Sequence, residues 1–181
     1  MIPYDPAWPV LFAGERDALL ASLSAGSPPT AAQIEHIGST SVPELAAKPI
    51  LDLLVGIPDH GDLAVLPDAG VGLVAPYVAA FASVGYEYRG EHGLPGRHFF
   101  TKGELRTHHL HMVGRDSDAW RTHLLFRDHL RRDLDAARAY EALKRGLAER
   151  YADDREAYAD GKVEFIEARL RAATAAQARA R

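Results

Sequence analysis

The sequence predicts an α/β domain with a small sheet of about five strands, an N-terminal helix and three C-terminal helices. Two observations support this prediction. Large apolar residues recur at helical spacings of three and four near both ends of the chain, and five short strand-like runs lie between them. These runs are residues 33–37, 50–57, 86–90, 97–101 and 106–113.

Length and composition predict one domain. The chain has 181 residues, of which 47% are hydrophobic and 25% are charged. This is enough for one well-packed core and too short for two comfortable ones. We therefore expect a single domain over residues 1–181, with an α/β core in residues 1–115 and helices in residues 116–181.

Charge and cysteine content exclude several classes of protein. A net charge of -4 argues against a dedicated binder of duplex DNA or RNA, which usually carries a basic excess. The absence of cysteine excludes thiolate nucleophiles, cysteine-zinc sites and disulfides. The N-terminus lacks the pattern of a signal peptide, and no apolar run reaches the ~20 residues of a membrane span. We expect a cytoplasmic protein without membrane contact, and its oligomeric state stays open.

In the first half of the chain, the apolar spacing predicts a helix entered through Pro9, followed by a loop over residues 24–30. The strands at 33–37 and 50–57 follow, and a loop is expected over residues 58–70. Two interpretations fit the next segment: a helix kinked at Pro76, or a shorter helix beginning there. The rule that proline is tolerated in a first turn favours the shorter helix, over residues 76–83. The apolar residues of the N-terminal helix are Trp8, Phe12, Leu19 and Leu23.

In the second half, a glycine-rich loop over residues 91–96 leads into a predicted hairpin of the last two strands. Asp116 or Ser117 is expected to cap the first of three C-terminal helices. The third helix begins near Asp154, and Gly161 weakens its middle. The apolar positions of these helices are Trp120, Leu124 and Phe126, then Ala136, Tyr140, Leu143, Leu147 and Tyr151, then Tyr158, Phe165, Ile166 and Leu170.

The stretch between the first two strands carries the strongest chemical signal. Gly38 ends the first strand and is followed by three hydroxyl residues, Ser39, Thr40 and Ser41. A glycine lets the backbone approach a ligand closely, and amides and hydroxyls after it can hold a phosphate. Asp52 is a lone carboxylate in an apolar strand, where an unpaired charge is costly. Asp52 is therefore expected to have a partner, a metal or a position at the rim of the sheet.

Several motifs resemble those of the GrpB family, within the polymerase-β-type nucleotidyltransferase superfamily. The superfamily resemblance rests on Gly38-Ser39 followed about a dozen residues later by an acid on an apolar strand. The family resemblance rests on IEHIGSTSVP, AAKPILDLLV, GLPGRHFF, HHLHMV and HLLFRDHLR. It implies a nucleotidyltransferase-like small mixed sheet with flanking helices.

The resemblance also implies chemistry. In such enzymes a glycine-serine turn holds the triphosphate, and neighbouring carboxylates bind divalent ions that neutralise the charge developing during in-line transfer. This chain departs from that pattern, because position 54, where a second acid is expected, is Leu54. GrpB-like domains also occur fused to dephospho-coenzyme A kinases, which suggests a link to coenzyme A metabolism by association.

Two histidines offer a substitute for the missing acid. His109 and His111 project to the same face of the fifth predicted strand. With Asp52 they form the predicted catalytic group and metal site, with His36 or Glu35 as a further ligand. Imidazole favours zinc, manganese or iron over the magnesium that the superfamily implies. We expect a divalent metal, with magnesium, manganese and zinc as the candidates. The alternative is that the histidines line a pocket without metal.

Seven residues are predicted to bind a nucleotide or its phosphates: Gly38, Ser39, Thr40, Ser41, Lys48, Arg97 and Arg127. Each also has a structural interpretation. The hydroxyls can stabilise the turn, and Lys48 can pair with Asp52 or Glu35. Arg97 can be a solvated strand end, and Arg127 can belong to ordinary ion pairs on a helix surface.

Three functions are consistent with these residues. The first is a metal-dependent nucleotidyltransferase-like enzyme acting on a nucleotide and a small acceptor. The second is a non-catalytic module that binds a nucleotide or metabolite, with the possible link to coenzyme A. The third, less favoured, is a metal-dependent hydrolase that uses the histidine pair.

Overall fold

The computed structural model of the chain describes residues 1–25, 32–58 and 70–179. Five strands and six α-helices follow one another within these residues, and a 3₁₀ turn, Ser39–Ser41, separates the first two strands. In chain order the elements are α1 (Trp8–Ala25), β1 (Gln33–Ile37), β2 (Leu51–Ile57), α2 (Gly70–Ser83), β3 (Tyr86–Tyr88), β4 (His98–Lys102), β5 (His108–Gly114), α3 (Asp118–Arg132), α4 (Leu134–Arg150), α5 (Arg155–Asp160) and α6 (Val163–Arg179). The predicted loops over 24–30 and 58–70 lie mostly outside the described residues.

The strands form one mixed sheet in the order β1-β2-β5-β4-β3. β2 and β5 run parallel, whereas the other three pairs are antiparallel. A parallel pair needs a long crossover connection, which here contains α2, β3 and β4. The predicted mixed sheet of five strands with flanking helices is therefore confirmed, and none of the described helices is long and apolar enough to span a membrane.

Side-chain alternation gives β2 two different faces. Leu53 and Val55 belong to the main core, together with Leu19 of α1 and Phe81 of α2. The intervening positions point to the opposite face, where α3 packs. There Leu54 shares a smaller buried cluster with Ile37, Val113 and Trp120. The odd and even positions of β2 thus separate the main core from the face that carries Asp52.

The C-terminal helices pack on the segment that follows the 3₁₀ turn. Ser117 caps α3 by accepting a hydrogen bond from the Trp120 backbone N–H, as predicted. A buried cluster joins residues of α3 and α4 to this segment: Val42, Leu45, Leu130, Ala136, Ala137 and Tyr140. Phe165 and Ile166 of α6 pack against the same cluster. The last helices therefore close over the turn at residues 38–41 instead of forming a separate layer.

The favoured shorter helix over residues 76–83 is wrong, because α2 begins at Gly70 and runs through Pro76, as in the alternative interpretation. A proline inside a helix removes a hydrogen bond and costs about 3 kcal/mol. Val74, Tyr77 and Phe81 are all buried in the main core at helical spacings. Burying such side chains contributes about 1.5–3 kcal/mol each, which offsets the interruption.

Several boundaries in the second half differ from expectation, and β3 ends at Tyr88, two residues before the predicted end. The hairpin strands begin one and two residues later than predicted, since Gly103 and Arg106 adopt positive φ angles in a longer connecting loop. The third C-terminal helix consists of two helices, α5 and α6, that meet at Gly161 and Lys162. A Cβ at Gly161 would lie 2.4 Å from the Leu147 side chain, so the break lies directly against α4.

Candidate functional site

A cavity of about 510 Å³ lies between the Asp52 face of the sheet and the C-terminal helices. Its floor is formed by Gly38, Ser39 and Asp52 beside His109 and His111. α3 and α4 contribute side chains to its wall, as do the α5–α6 junction and the β4–β5 loop. These wall residues include Leu105, Arg106, His123, Arg127, Tyr140, Lys144, Tyr158 and Lys162. The cavity therefore brings together most of the predicted site and several residues that the sequence did not single out.

Gly38 and Asp52 are in close contact at the floor of the cavity. Gly38 has φ 69° and ψ -173°, a conformation that is essentially restricted to glycine. A Cβ at this position would lie 2.2 Å from Asp52 Oδ2. The glycine is thus required both by its backbone angles and by the carboxylate packed against it.

Asp52 forms a hydrogen-bonded pair with one of the predicted histidines. His109 Nδ1 donates to Asp52 Oδ1 over 3.1 Å, and His111 Nε2 lies 3.9 Å from the same oxygen. Burial raises the pKa of the Asp52 carboxyl, but the hydrogen bonds and charges of His109 and His111 outweigh burial and hold this pKa below its ordinary value. Burial also lowers the pKa of His111. Asp52 is consequently an ionised acceptor at neutral pH.

The register of the sheet explains this pairing. Asp52 is directly opposite His109 in the parallel β2–β5 pair, and Leu54 is opposite His111. The three side chains therefore project from the same face, as the alternation of the predicted strands requires. The structure thus brings Asp52 together with the histidine pair.

Leu54 occupies the position of the absent second acid and is fully buried. It lies beneath Trp120 of α3, whose ring also covers Gly56: a Cβ added there would meet the ring at 2.6 Å. A carboxylate at position 54 would lose its hydration beneath this ring, at a cost of several kcal/mol. The site therefore has one carboxylate because a helix covers the place of the other.

The structure does not bring the two further predicted metal ligands to Asp52. His36 points to the opposite face of the sheet, where its ring stacks on Phe12 with centroids 4.7 Å apart. The Glu35 carboxylate accepts a hydrogen bond from Arg127 Nη1 over 2.7 Å. His36 therefore lies on the wrong face of the sheet to share a metal with Asp52, and the Glu35 carboxylate is engaged by Arg127. Both assignments as further metal ligands are corrected. Over residues 1–25, 32–58 and 70–179, no three histidine or carboxylate side chains are arranged to hold a metal ion.

The three hydroxyls of the turn have different roles. Ser39 Oγ faces the cavity and accepts a hydrogen bond from Lys144 Nζ over 2.9 Å. Thr40 Oγ1 lies 3.0 Å from His36 Nε2 and is buried. Ser41 Oγ donates to the Gly38 carbonyl over 2.7 Å, which stabilises the turn itself. Gly38, Ser39 and Thr40 line the cavity, whereas Ser41 does not.

The three basic residues predicted to bind phosphate are also placed differently. Lys48 lines the cavity, and its Nζ lies 4.6 Å from the centre of the Tyr158 ring. Arg127 reaches the wall but pairs with Glu35 and Asp128. Arg97 donates to the carbonyls of Glu91 and His92, so it fastens the glycine-rich loop and does not line the cavity.

Lys144 is the most notable residue that the sequence did not reveal. It lies on α4, is 3% exposed, and donates to Ser39 Oγ and to the Ala46 carbonyl, the latter over 2.7 Å. Burial lowers the pKa of Lys144 to about 8. Its only sequence signal is its place within the apolar spacing of α4, between Leu143 and Leu147, where a surface lysine is the usual interpretation.

Lys162 was also missed, whereas His123 shares a helix face with the predicted residue Arg127, one turn away. Lys162 lines the cavity at the α5–α6 junction, and its Nζ lies 4.7 Å from the centre of the Tyr158 ring. Lys48 approaches the same ring. His123 Nδ1 donates to the Ala119 carbonyl over 2.7 Å, and its ring centroid lies 5.7 Å from that of His111. The sequence signal for His123 is its position in the HLLFRDHLR motif, where it lies four residues before Arg127.

Comparison with known proteins places the chain in a family. Residues 1–172 match the family model described as GrpB protein. The chain belongs to the GrpB family.

Its GrpB relatives share the fold over nearly the whole chain. The crystal structure of conserved protein GrpB from Enterococcus faecalis has a TM-score of 0.77 and 37% sequence identity, covering 95% of each chain. A UPF0157 protein of Pseudomonas aeruginosa is 41% identical over 172 residues, which is 92% of this chain and 64% of the relative. A UPF0157 protein of Bacillus subtilis is 37% identical over 92% of this chain and 44% of its own length. The chain thus spans about half to two thirds of these two curated relatives.

The fold is also that of a nucleotidyltransferase. Structures of the Cid1 poly(U) polymerase match this chain with a TM-score of 0.55 and 15% identity, over 82% of this chain and 45% of that one. At this level of identity the similarity concerns the fold alone. It confirms the expected nucleotidyltransferase-like architecture of this GrpB-family chain.

Proposed function

We propose that this GrpB-family protein binds the phosphate groups of a nucleotide, or of a related phosphorylated small molecule, in the cavity beside Gly38 and Ser39. The observation that carries the proposal is the charge of the wall: several basic side chains face one carboxylate, Asp52. The basic residues are Lys48, Arg106, Arg127, Lys144 and Lys162. A concentration of fixed positive charge in a concave site favours an anionic ligand.

The nucleotide class is supported by the fold and by the turn. Cid1 structures are described as bound to MgGTP and to MgATP. In this chain, Gly38 brings the backbone close to the cavity, and Ser39 Oγ faces it beside Lys144. Small, polar and backbone donors next to a lysine are well suited to phosphate oxygens.

Nucleotidyl transfer to a small acceptor is the second candidate, and the Asp52–His109 hydrogen bond favours it. With Nδ1 donating to Asp52, His109 retains Nε2 as a base. In that reaction an acceptor hydroxyl oxygen would form a bond to the α-phosphorus, and its proton would pass to Nε2. The bond between the α-phosphorus and the leaving pyrophosphate would break.

Ligand-induced thermal stabilisation tests the binding proposal. Each nucleoside triphosphate, each monophosphate, coenzyme A and dephospho-coenzyme A would be added at about 100 times the dissociation constant. A true ligand stabilises the folded protein by about 2.7 kcal/mol at that concentration, which raises Tm by roughly 5–10 °C in a domain of this size. No shift with any of these ligands would refute the proposal.

Pyrophosphate release distinguishes binding from catalysis. The protein would be incubated with a triphosphate that raises its Tm and a pool of small acceptors. Release that is lost in Asp52→Asn, and retained in the exposed control Asp135→Asn, would support the transferase. Thermal stabilisation without release would support a binding module, and release of orthophosphate would instead support the hydrolase. Repeating the assay with magnesium, manganese and zinc tests the predicted metal dependence.

A further inference from the structure

The donors expected to hold a metal do not form a metal site in this fold. Leu54 replaces the second acid under Trp120, and His36 lies on the far face of the sheet. Asp52 Oδ1 is engaged by His109 Nδ1, and no group of three histidine or carboxylate side chains is suitably arranged in the described parts of the chain. The positive charge that a metal supplies in related folds must therefore come from another source if phosphates bind here.

Lys144 provides one such charge. Its Nζ is buried, and among the described residues its hydrogen bonds go to two neutral oxygens, Ser39 Oγ and the Ala46 carbonyl. No described carboxylate lies within 4.0 Å of it, although a buried charge is costly without a counter-ion. Burial lowers the pKa of Lys144, although the charges of Glu141 and Asp52 act in the opposite direction. An anion beside Ser39 would provide the missing counter-charge.

Lys48 and Lys162 provide two further charges in the lining of the cavity. Their ammonium groups lie 4.6 and 4.7 Å from the centre of one ring, that of Tyr158. The ring orients two cations that would otherwise repel each other, because each is attracted to the π electrons. Burial lowers the pKa of Lys162, so this ammonium group also gains from a nearby anion.

We propose that the ammonium groups of Lys48, Lys144 and Lys162 neutralise a chain of two or more phosphates in this cavity, so that binding does not require a divalent metal. This inference rests on the proposed function and specifies its ligand as a di- or triphosphate. The phosphates provide the counter-charges for the three lysines, with Ser39 and Gly38 at one end of the site. Asp52 and His109 then remain free of metal coordination.

Isothermal titration calorimetry of the full chain tests metal independence. ATP, inorganic triphosphate and adenosine would be titrated in excess EDTA, and again in magnesium or manganese without EDTA. We expect ATP to bind in EDTA with a Kd within about threefold of its value with metal. Binding of inorganic triphosphate would assign recognition to the phosphates, whereas binding of ATP alone would show that the nucleoside also contributes.

The results distinguish failure of this inference from failure of the proposed function. If ATP or triphosphate binds only when a divalent metal is present, metal independence is refuted and the proposed function stands. If no phosphorylated ligand binds under any condition, both are refuted. Binding of adenosine with an affinity equal to that of ATP would also refute a role for the lysines.

Lysine variants test the source of the charge. Lys144→Met and Lys162→Met are each expected to weaken triphosphate binding by about 10- to 100-fold in EDTA, the range for a lost charged hydrogen bond. Arg138→Met on the exposed side of α4 is the control, since its side chain is 79% exposed, and it should bind normally. Lys162 is only half-buried, so its variant gives an answer even if Lys144→Met does not fold. Unchanged affinity in Lys162→Met would overturn the inference.

Discussion

Substitution of Gly38 by alanine is expected to destabilise the protein. Gly38 combines φ 69° with ψ -173°, and forcing another residue into such a region costs about 1–3 kcal/mol. The new Cβ would also meet Asp52 Oδ2 at 2.2 Å and Asp52 Cβ at 2.8 Å, so β1 and β2 must shift apart locally. Overpacking of this kind costs about 1–3 kcal/mol more.

The combined cost predicts a Tm at least about 4 °C below that of the wild type, because each kcal/mol corresponds to about 2–4 °C in a domain of this length. Calorimetry or near-ultraviolet circular dichroism measures the change. Gly146→Ala is the matched control: Gly146 lies in α4 with nothing within 4 Å of an added Cβ, so alanine should stabilise by about 0.5–1 kcal/mol. A Gly38→Ala protein that melts at or above the wild-type Tm would refute the reasoning.

Three further predictions concern the faces of the sheet. Leu54→Asp should lower the free energy of unfolding in urea by about 3 kcal/mol or more, since the carboxylate would lose its hydration beneath Trp120. Gly56→Ala should be costly in the wild type and nearly tolerated in a Trp120→Ala background, because the added Cβ meets the Trp120 ring at 2.6 Å; a double-mutant cycle in urea measures the difference. His36→Gln should make stability less sensitive to acid. Burial and the Arg131 charge lower the pKa of His36 from 6.5 to about 4, so the unfolded chain binds a proton first as pH falls through this range, and wild-type stability falls by up to about 3 kcal/mol.

Each of these predictions has its own control. Leu54→Met keeps the volume and should cost less than about 1.5 kcal/mol. If Gly56→Ala is equally costly in both backgrounds, the Trp120 ring is not the cause. Urea midpoints of wild type and His36→Gln at pH 6.5 and 4.5 test the third prediction, and parallel losses in the two proteins would contradict it.

The sequence predicted the front half of the site because its signals are local. A glycine followed by hydroxyls marks a turn, and the alternation of β2 and β5 places Asp52 and the histidines on matching faces. Pairing these two strands in parallel completes the arrangement. The burial of Leu54 beneath Trp120 could not be predicted in this way, because Trp120 lies more than sixty residues further along the chain.

The second half of the site was hidden for a different reason. Lysines on amphipathic helices usually face solvent, so Lys144 and Lys162 carry no local mark of function. Their direction depends on how α4, α5 and α6 dock on the core, and that docking is a tertiary property. The helix around Pro76 was predicted wrongly for a similar reason. Burial of Val74, Tyr77 and Phe81 in the core outweighs the local preference of proline for the first turn of a helix.

The cavity is closed by two parts of the chain that are distant in sequence. Lys144 connects α4 to Ser39 and Ala46, about a hundred residues away, and Glu141 of the same helix accepts a hydrogen bond from the Ala46 backbone N–H. A polyanion bound to the turn at Ser39 and to the last three helices would hold these two parts of the chain together. It would raise the free energy of local unfolding of α4–α6. Amide hydrogen exchange in α4–α6 would then slow when ligand binds, even though most of those amides never touch it. Ligand binding at the site would therefore be detectable as increased rigidity of α4–α6.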